Sequence, residues 1–374
     1  WQSAQGAQVL FVETHALPAN ASGHGSFSYD HTYLDDDPDT GTPADILPVK
    51  VTLKDDDTGE VSDTLDLTVN NVDPEFTSFS LAPDTLEEGG TVSLQATFID
   101  PGEGDTFTIE VDWGDGTQQS FSLDDVGSFS GGAGQFSIDH DYADDETGSG
   151  DDLYEVIWRL IDDDTGEAAD SGQVAVINVA PTLENLDLSD TVVDEGGSVT
   201  LSMDIDDKGV DDVLTVIIDW GDGNVDQAIL GTGPLSYLTS HVYLDDDPTG
   251  ISGALADIKV RVLDDDGDFV DAQAQLQVNN LPPENLNAGP DLNQLTGSIA
   301  NLGVLFDDQG VLDTHDFEWT VVDPLGVSQT GNSQFFNVLL DEPGVWTATV
   351  VVTDDDTDSA STTVSILATP TIIP

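Results

Sequence analysis

Val216-Ile217-Ile218-Asp219-Trp220-Gly221-Asp222-Gly223 reads as a strand that ends in a tight turn. β-branched residues favour extended backbone, the indole is large enough to anchor a sandwich core, and Gly-Asp-Gly admits the positive φ that a reversal needs. The same order recurs at Ile109-Glu110-Val111-Asp112-Trp113-Gly114-Asp115-Gly116. A recurring strand-and-turn word in a long chain calls for a search for repeats before any element is assigned.

Working outward, three further markers recur in one order. A His-x-Tyr word stands at His31-Thr32-Tyr33, His140-Asp141-Tyr142 and His241-Val242-Tyr243. Each is followed by an acidic run: Asp35-Asp36-Asp37-Pro38, Asp144-Asp145-Glu146-Thr147 and Asp245-Asp246-Asp247-Pro248. A strand then leads into a second acidic turn, at Asp55-Asp56-Asp57-Thr58-Gly59, Asp162-Asp163-Asp164-Thr165-Gly166, Asp264-Asp265-Asp266-Gly267 and Asp354-Asp355-Asp356-Thr357. Closing strands end at Asn70-Asn71-Val72-Asp73-Pro74, Asn178-Val179-Ala180-Pro181 and Asn279-Asn280-Leu281-Pro282-Pro283, where proline removes a ladder N–H and stiffens the joint.

These boundaries divide the chain into modules at 1–73, 74–180, 181–282 and 283–374. Short alternating runs such as Thr106-Phe107-Thr108-Ile109-Glu110-Val111, with no helical period, predict an all-β chain of tandem Ig-like antiparallel β-sandwiches, stacked as an elongated rod. Trp1 takes the place of Trp113 and Trp220, so the first module is expected to lack its first strands. That gap would be filled by a proteolysed N-terminal piece or a neighbouring subunit's strand, or else it marks only where the chain is cut. Thr369-Pro370-Thr371-Ile372-Ile373-Pro374 is a short, proline-flanked donor-strand candidate.

Composition narrows the partners. Six Lys plus Arg against 75 Asp plus Glu give a formal net charge of −69, which repels nucleic acid and anionic membrane and favours multivalent cations. No apolar run is long enough to span a bilayer. With Cys 0 there are no disulfide staples. The 38% of hydrophobic residues suffices for folded cores.

Trp-Gly-Asp-Gly after a strand, His-x-Tyr before the next, and the Asp-rich turn before the last resemble PKD domains and their bacterial PKD-like relatives. The likeness covers the second and third modules and the first from Trp1 onward. The fourth diverges: Glu318-Trp319-Thr320-Val321-Val322-Asp323-Pro324 has the tryptophan without Gly-Asp-Gly, while Pro343-Gly344-Val345-Trp346 resembles the family's entrance to its penultimate strand. The resemblance implies an Ig-like sandwich of extracellular or surface proteins, used as a spacer, adhesive or substrate-guiding module, often with bound calcium, and does not imply catalysis.

Ig-like strand order places the acids in space. In the second module Asp100, Glu103, Asp105 and Asp162, Asp163 and Asp164 fall at the upstream end, and Glu87, Glu88, Asp115, Asp144, Asp145 and Glu146 at the downstream end. In the third, Asp206, Asp207, Asp211, Asp212 and Asp264, Asp265 and Asp266 lie upstream, with Glu195, Asp222, Asp245, Asp246 and Asp247 downstream. Asp35, Asp36, Asp37, Asp55, Asp56 and Asp57 of the first module and Asp307, Asp308, Asp354, Asp355 and Asp356 of the fourth continue the pattern. Stacking brings downstream acids against upstream ones.

Two carboxylates about 4 Å apart repel by roughly 4 kcal/mol at an effective dielectric near 20. Hard oxygen donors without cysteine select calcium. Calcium ligands are therefore expected among Glu87, Glu88, Glu195, Asp100, Asp206, Asp207, Asp307, Asp308 and the aspartates of the acidic runs, while Asp105, Asp211 and Asp212 are only placed at their sandwich ends and Asp115 and Asp222 are expected to bond their own turns. Solvated turns on a halophilic surface are the competing reading, and clustering at fixed positions speaks against it.

His31, His140 and His241 are each expected in a strand, as packing and hydrogen-bonding residues beside anchoring tyrosines. Carboxylate pairs such as Asp112 and Asp219 are unavoidable with 75 acids and signal no glycosidase. No nucleophile elbow, phosphate-cradling loop or His-Glu-x-x-His is present. The expectation is a non-catalytic extracellular or cell-surface segment, structural or adhesive, whose calcium-stiffened modules form a stalk or filament with copies of itself or hold surface glycans or proteins. The alternative is a glycan- or protein-binding accessory region of a secreted hydrolase, which would expose aromatics on one sheet face.

Overall fold

The computed structural model of the chain describes residues 12–17, 25–36, 41–145, 148, 150–246 and 253–370. Expectations that rest on Trp1, Asp37, Asp247, Glu146, Thr147 or residues 371–374 lie outside the described residues. The chain divides into two compact units, Trp1–Asn178 and Val179–Pro374. Each is built of antiparallel β-sheet, and among the described residues α-helix is confined to Leu123–Val126.

In the first unit a four-stranded sheet runs Glu75–Ala82, Gly90–Ile99, Ala133–Tyr142, Gly127–Ser130. Facing it, a five-stranded sheet runs Thr85–Glu87, Glu167–Ile177, Asp151–Asp162, Phe107–Asp112, Gln118–Ser122. The opening segment thus pairs first with one sheet and then, through Thr85–Glu87, in parallel with the other. That switch is an Ig-like device for closing a sandwich. The second unit repeats it twice: Val192–Asp194 lies parallel to Phe269–Asn279, and Leu292–Leu295 parallel to Ser359–Thr369. Residues 283–370 keep the same five-stranded order despite having no Trp-Gly-Asp-Gly.

Alternation along the strands builds three cores, gathered around Trp113 and Trp158, around Trp220, and around Trp319 and Trp346. In the Trp-Gly-Asp-Gly sandwiches the markers interlock. The hydroxyl of Tyr142 donates to the Trp113 carbonyl at 2.8 Å, and Tyr243 does the same to Trp220 at 2.8 Å. His140 stacks on the Trp113 ring with centroids 4.5 Å apart, and its Nε2 lies 2.7 Å from Asp115 Oδ2. His241, Trp220 and Asp222 repeat this at 4.8 and 2.7 Å. Asp115 and Asp222 also close their own turns through the amides of Thr117 and Asn224. Gly221, at φ 81°, sits so close to the Asp257 backbone that a Cβ would fall 2.8 Å from its nitrogen, so no side chain fits there.

Residues before 74 are different. Ala44–Lys54 and Glu60–Asn70 form an isolated hairpin whose cross-strand pairs, among them Val49 with Leu65 and Leu53 with Val61, are exposed. The strand expected at His31 to Tyr33 is absent, because the equivalent Ala133–Tyr142 exists by pairing with Gly90–Ile99 and residues 25–36 have no such partner among the described residues. The local His-x-Tyr contact survives, with His31 and Tyr33 ring centroids 4.6 Å apart.

Tyr243→Phe leaves the buried Trp220 carbonyl without its donor and is expected to cost about 1–3 kcal/mol, while Trp220→Ala is expected to cost about 3–5 kcal/mol. Urea unfolding followed by tryptophan fluorescence measures the first, and circular dichroism the second.

Candidate metal centres at the module seams

Each acidic turn divides its work among three aspartates. The first closes the turn: Asp162 Oδ1 accepts from the Asp164 and Gly166 amides at 3.0 and 2.7 Å, Asp264 Oδ1 from Gly267 and Asp268 at 2.6 and 2.8 Å, and Asp354 Oδ1 from Asp358 at 2.8 Å. This holds Thr165 and Thr357 at φ 77° and 78°, a region β-branched residues seldom adopt. The second reaches sideways, Asp163, Asp265 and Asp355 accepting from the amides of Thr106, Val213 and Thr314 at 2.7, 2.7 and 2.9 Å. The third is buried in Asp164 and Asp356 and half-buried in Asp266.

Each turn lies beside a pair spaced Asp-x-x-x-x-Asp: Asp100 and Asp105, Asp207 and Asp212, Asp308 and Asp313. In the first unit this upstream end of the second sandwich meets the acidic run of the preceding segment. Oxygens of Asp35, Asp36 and Asp164 lie within 4.8 Å of one another, as do those of Asp100, Asp105 and Asp162, and those of Asp105, Asp163 and Asp164. The seam is tied by the amide of Gly41 to Asp164 Oδ1 at 2.9 Å, that of Glu103 to the Leu34 carbonyl at 2.8 Å, and Asn71 Nδ2 to Asp162 Oδ2 at 2.9 Å.

The carboxylates between those ties lack donors. Among the described residues no hydrogen-bond donor reaches Asp35 Oδ1, Asp36 Oδ2, Asp100 Oδ2 or either oxygen of Asp105, all of them buried atoms. Burial, followed by the charge of Asp164, pushes Asp36 up to about 6. Burial raises Asp100 to about 6 against the Gly102 amide that favours its ionised form. Burial, then the Asp35 and Asp100 carboxyls, raise Asp105 to about 8.

The second unit repeats the arrangement. Glu195, Asp245 and Asp313 have oxygens within 4.8 Å of one another, Glu195 Oε1 accepts from the Leu281 amide at 2.7 Å, and Asn280 Nδ2 reaches Asp354 Oδ2 at 3.1 Å. Glu195 Oε2 and both oxygens of Asp246 and Asp313 have no donor among the described residues. Burial first, then neighbouring carboxyls, raise Glu195 to about 7, Asp246 to about 7 and Asp313 to about 8. Asp246 faces Asp356 as Asp36 faces Asp164, and Asp313 faces Asp245 as Asp105 faces Asp35.

The remaining expected ligands are placed as follows. Glu88, Asp144 and Asp145 cluster within 4.8 Å at the downstream end of the second sandwich, with Glu88 and Asp145 buried. Asp207 is buried beside Asp264 and Asp206, and burial pushes it up to about 6 against the Lys208 and Gly209 amides that favour its ionised form. Asp206, Asp307 and Glu87 are exposed, and Asp307 accepts from Asn285 Nδ2 at 3.1 Å. Asp55, Asp56 and Asp57 are exposed at a hairpin tip, where Asp55 Oδ1 accepts from the Asp57 amide at 3.1 Å. Asp37 and Asp247 lie outside the described residues.

Asp105, placed at a sandwich end but not among the expected ligands, belongs to two of the clusters, and two further contributors escape the reading of acidic runs. Asp313 is part of no acidic run and is visible only through the Asp-x-x-x-x-Asp spacing. His315 occupies the position that Phe107 and Leu214 fill in the other sandwiches, and its Nε2 lies 2.7 Å from Asp308 Oδ2.

Three mutually close carboxylates at roughly 4 kcal/mol per pair would cost on the order of a whole domain's stability of about 5–15 kcal/mol if all were ionised and bare. Protons or cations must therefore sit among them. The donors are all oxygens, from loops able to adopt irregular geometry, which suits calcium rather than zinc or copper.

No known protein family and no curated protein matches the chain. Among solved structures, the tetra-tandem repeat in the extending region of a large adhesion protein is similar over 85% of this chain and 81% of its own, at 15% identity and TM-score 0.39. A segment of a 1.5-MDa bacterial ice-binding adhesin is similar over 81% of this chain and 100% of its own, at 13% identity and TM-score 0.24. The Bacteroides ovatus protein SGBP-B of a mixed-linkage glucan utilization locus, solved with a mixed-linkage heptasaccharide, is similar over 81% of this chain and 72% of its own, at 15% identity and TM-score 0.20. Scores of this size say nothing about what the chain does.

A carboxyl with a raised folded pKa holds its proton more tightly in the folded than in the unfolded chain. Its contribution is full below the unfolded value of 3.8 for Asp105 and Asp313, and is lost as pH rises through their folded values of about 8. In chelator, the melting temperature is expected to fall steadily from about pH 4 to about pH 8, as followed by calorimetry across buffers of constant ionic strength.

Proposed function

We propose that the chain is a non-catalytic extracellular segment, structural or adhesive, in which tandem PKD-like sandwiches are stiffened by calcium at their seams to form a stalk or filament. The observation that carries this reading is the pairing of buried carboxylates from successive segments, with several oxygens that no donor reaches among the described residues, repeated in both units. A cation there replaces mutual repulsion with shared coordination. Because its ligands come from two segments, the ion also removes the hinge freedom of the linker between them.

Weak extracellular calcium modules bind at about 10⁻⁴–10⁻³ M, which matches an environment rich in the ion. A carbohydrate-binding platform draws no support from the tryptophans, since Trp113, Trp158, Trp220, Trp319 and Trp346 are all buried. The chemistry of the seams calls for no nucleophile or leaving group.

Calcium added to the chelated full chain is expected to raise its stability by about 2 kcal/mol per occupied seam when the ion is well above its Kd, and to narrow the distance distribution from small-angle scattering. An unchanged melting temperature together with unchanged scattering in millimolar calcium rules the reading out.

A further inference from the structure

The acids of the first unit's seam form overlapping sets rather than a single ring. Asp105 belongs both to the set with Asp100 and Asp162 and to the set with Asp163 and Asp164. Oxygens within 4.8 Å of one another fit around one calcium ion, whose oxygen ligands sit at about 2.3–2.6 Å, so each set has the dimensions of one coordination sphere.

Asp105 is 8% exposed and Asp100 1%, and neither oxygen of Asp105 has a donor among the described residues. A carboxylate with two bare, buried oxygens standing in two adjacent sets is placed to serve both. Charge points the same way, because a single divalent ion leaves most of the surrounding carboxylate charge uncompensated.

Resting on the calcium reading above, we propose that this seam holds two adjacent calcium-class cations bridged by the Asp105 carboxylate, one on the side of Asp100 and Asp162 and one on the side of Asp163 and Asp164. Asp105 coordinates one cation through each oxygen, and the separation of two cations sharing such a bridge is about 4 Å. Asp163 spends one oxygen on the Thr106 amide and offers the other, whereas Asp162 holds the turn amides through Oδ1 and Asn71 Nδ2 through Oδ2, so Oδ2 is the atom that would be shared between the asparagine and a cation. Asp164, also shared between two sets, extends the network to Asp35 and Asp36.

The test compares the full chain with Asp105→Asn. Asparagine reproduces the shape of the neutral acid, so the chelated variant is expected to melt no lower than the parent. Native mass spectrometry in calcium is expected to show two fewer bound ions for the variant. With mixed terbium and europium, energy transfer between neighbouring ions is expected to fall in the variant. Loss of one ion or none, with transfer unchanged, overturns the bridged pair while leaving seam calcium standing; a parent chain that binds no calcium overturns both. Asp164→Asn, removing the other shared carboxylate, is measured alongside, and loss of two or more ions with reduced transfer is the supporting result should Asp105→Asn not fold.

Discussion

Buried carboxylates that face one another, several of their oxygens without a hydrogen-bond donor among the described residues, are the constraint on which the ends of the sandwiches depend. An isolated acid in such a place would simply keep its proton, but Asp36 beside Asp164 and Asp105 beside Asp35 and Asp100 on one seam, and Asp246 beside Asp356 and Asp313 beside Glu195 and Asp245 on the other, are raised by burial and then by the neighbouring carboxyls. Their positions are not accidents of loose loops. Asp162 and Asp354 spend their oxygens fixing the turn and receiving the linker asparagines, and Asp163 and Asp355 pin the neighbouring loop. The strained threonines Thr165 and Thr357 mark a backbone held in shape by its surroundings.

The sandwiches supply rigid mounts for those loops. Trp113, His140, Tyr142 and Asp115 lock the end of one strand to the start of the next turn, and Trp220, His241, Tyr243 and Asp222 repeat the lock. The indole N–H groups of the two locks also find acceptors, Gln119 Oε1 and Asp226 Oδ2, each at 2.8 Å. At the seams some carboxylate oxygens, such as Asp163 Oδ1 and Glu195 Oε1, find backbone N–H donors, while others, such as both oxygens of Asp105 and Asp313, face only further carboxylates among the described residues. The fourth sandwich departs in detail, since His315 replaces an apolar residue and supports Asp308 directly.

Much of the fold was legible because it rests on short-range rules. A β-branched run ending in Trp-Gly-Asp-Gly, and a tyrosine two residues after a histidine, each dictate local geometry that the structure reproduces. The strand expected at His31 to Tyr33 fails for the opposite reason, since a strand is a property of a pair and its partner is not among the described residues. Acidic runs could be assigned to sandwich ends, but not to individual roles. Asp163 and Asp164 are neighbours of identical chemistry, yet one holds a backbone amide of Thr106 and the other faces the preceding segment. Asp313 was hidden because it belongs to no run of consecutive acids, and only superposing the spacings of Asp100 with Asp105 and Asp308 with Asp313 reveals it.

Anomalous diffraction from crystals of the full chain grown with terbium tests the central claim most directly. The account predicts peaks at coordination distance from Asp105 in the first unit and from Asp313 in the second. Crystals that bind terbium only at exposed carboxylates, with Asp105 and Asp313 bare, would contradict it.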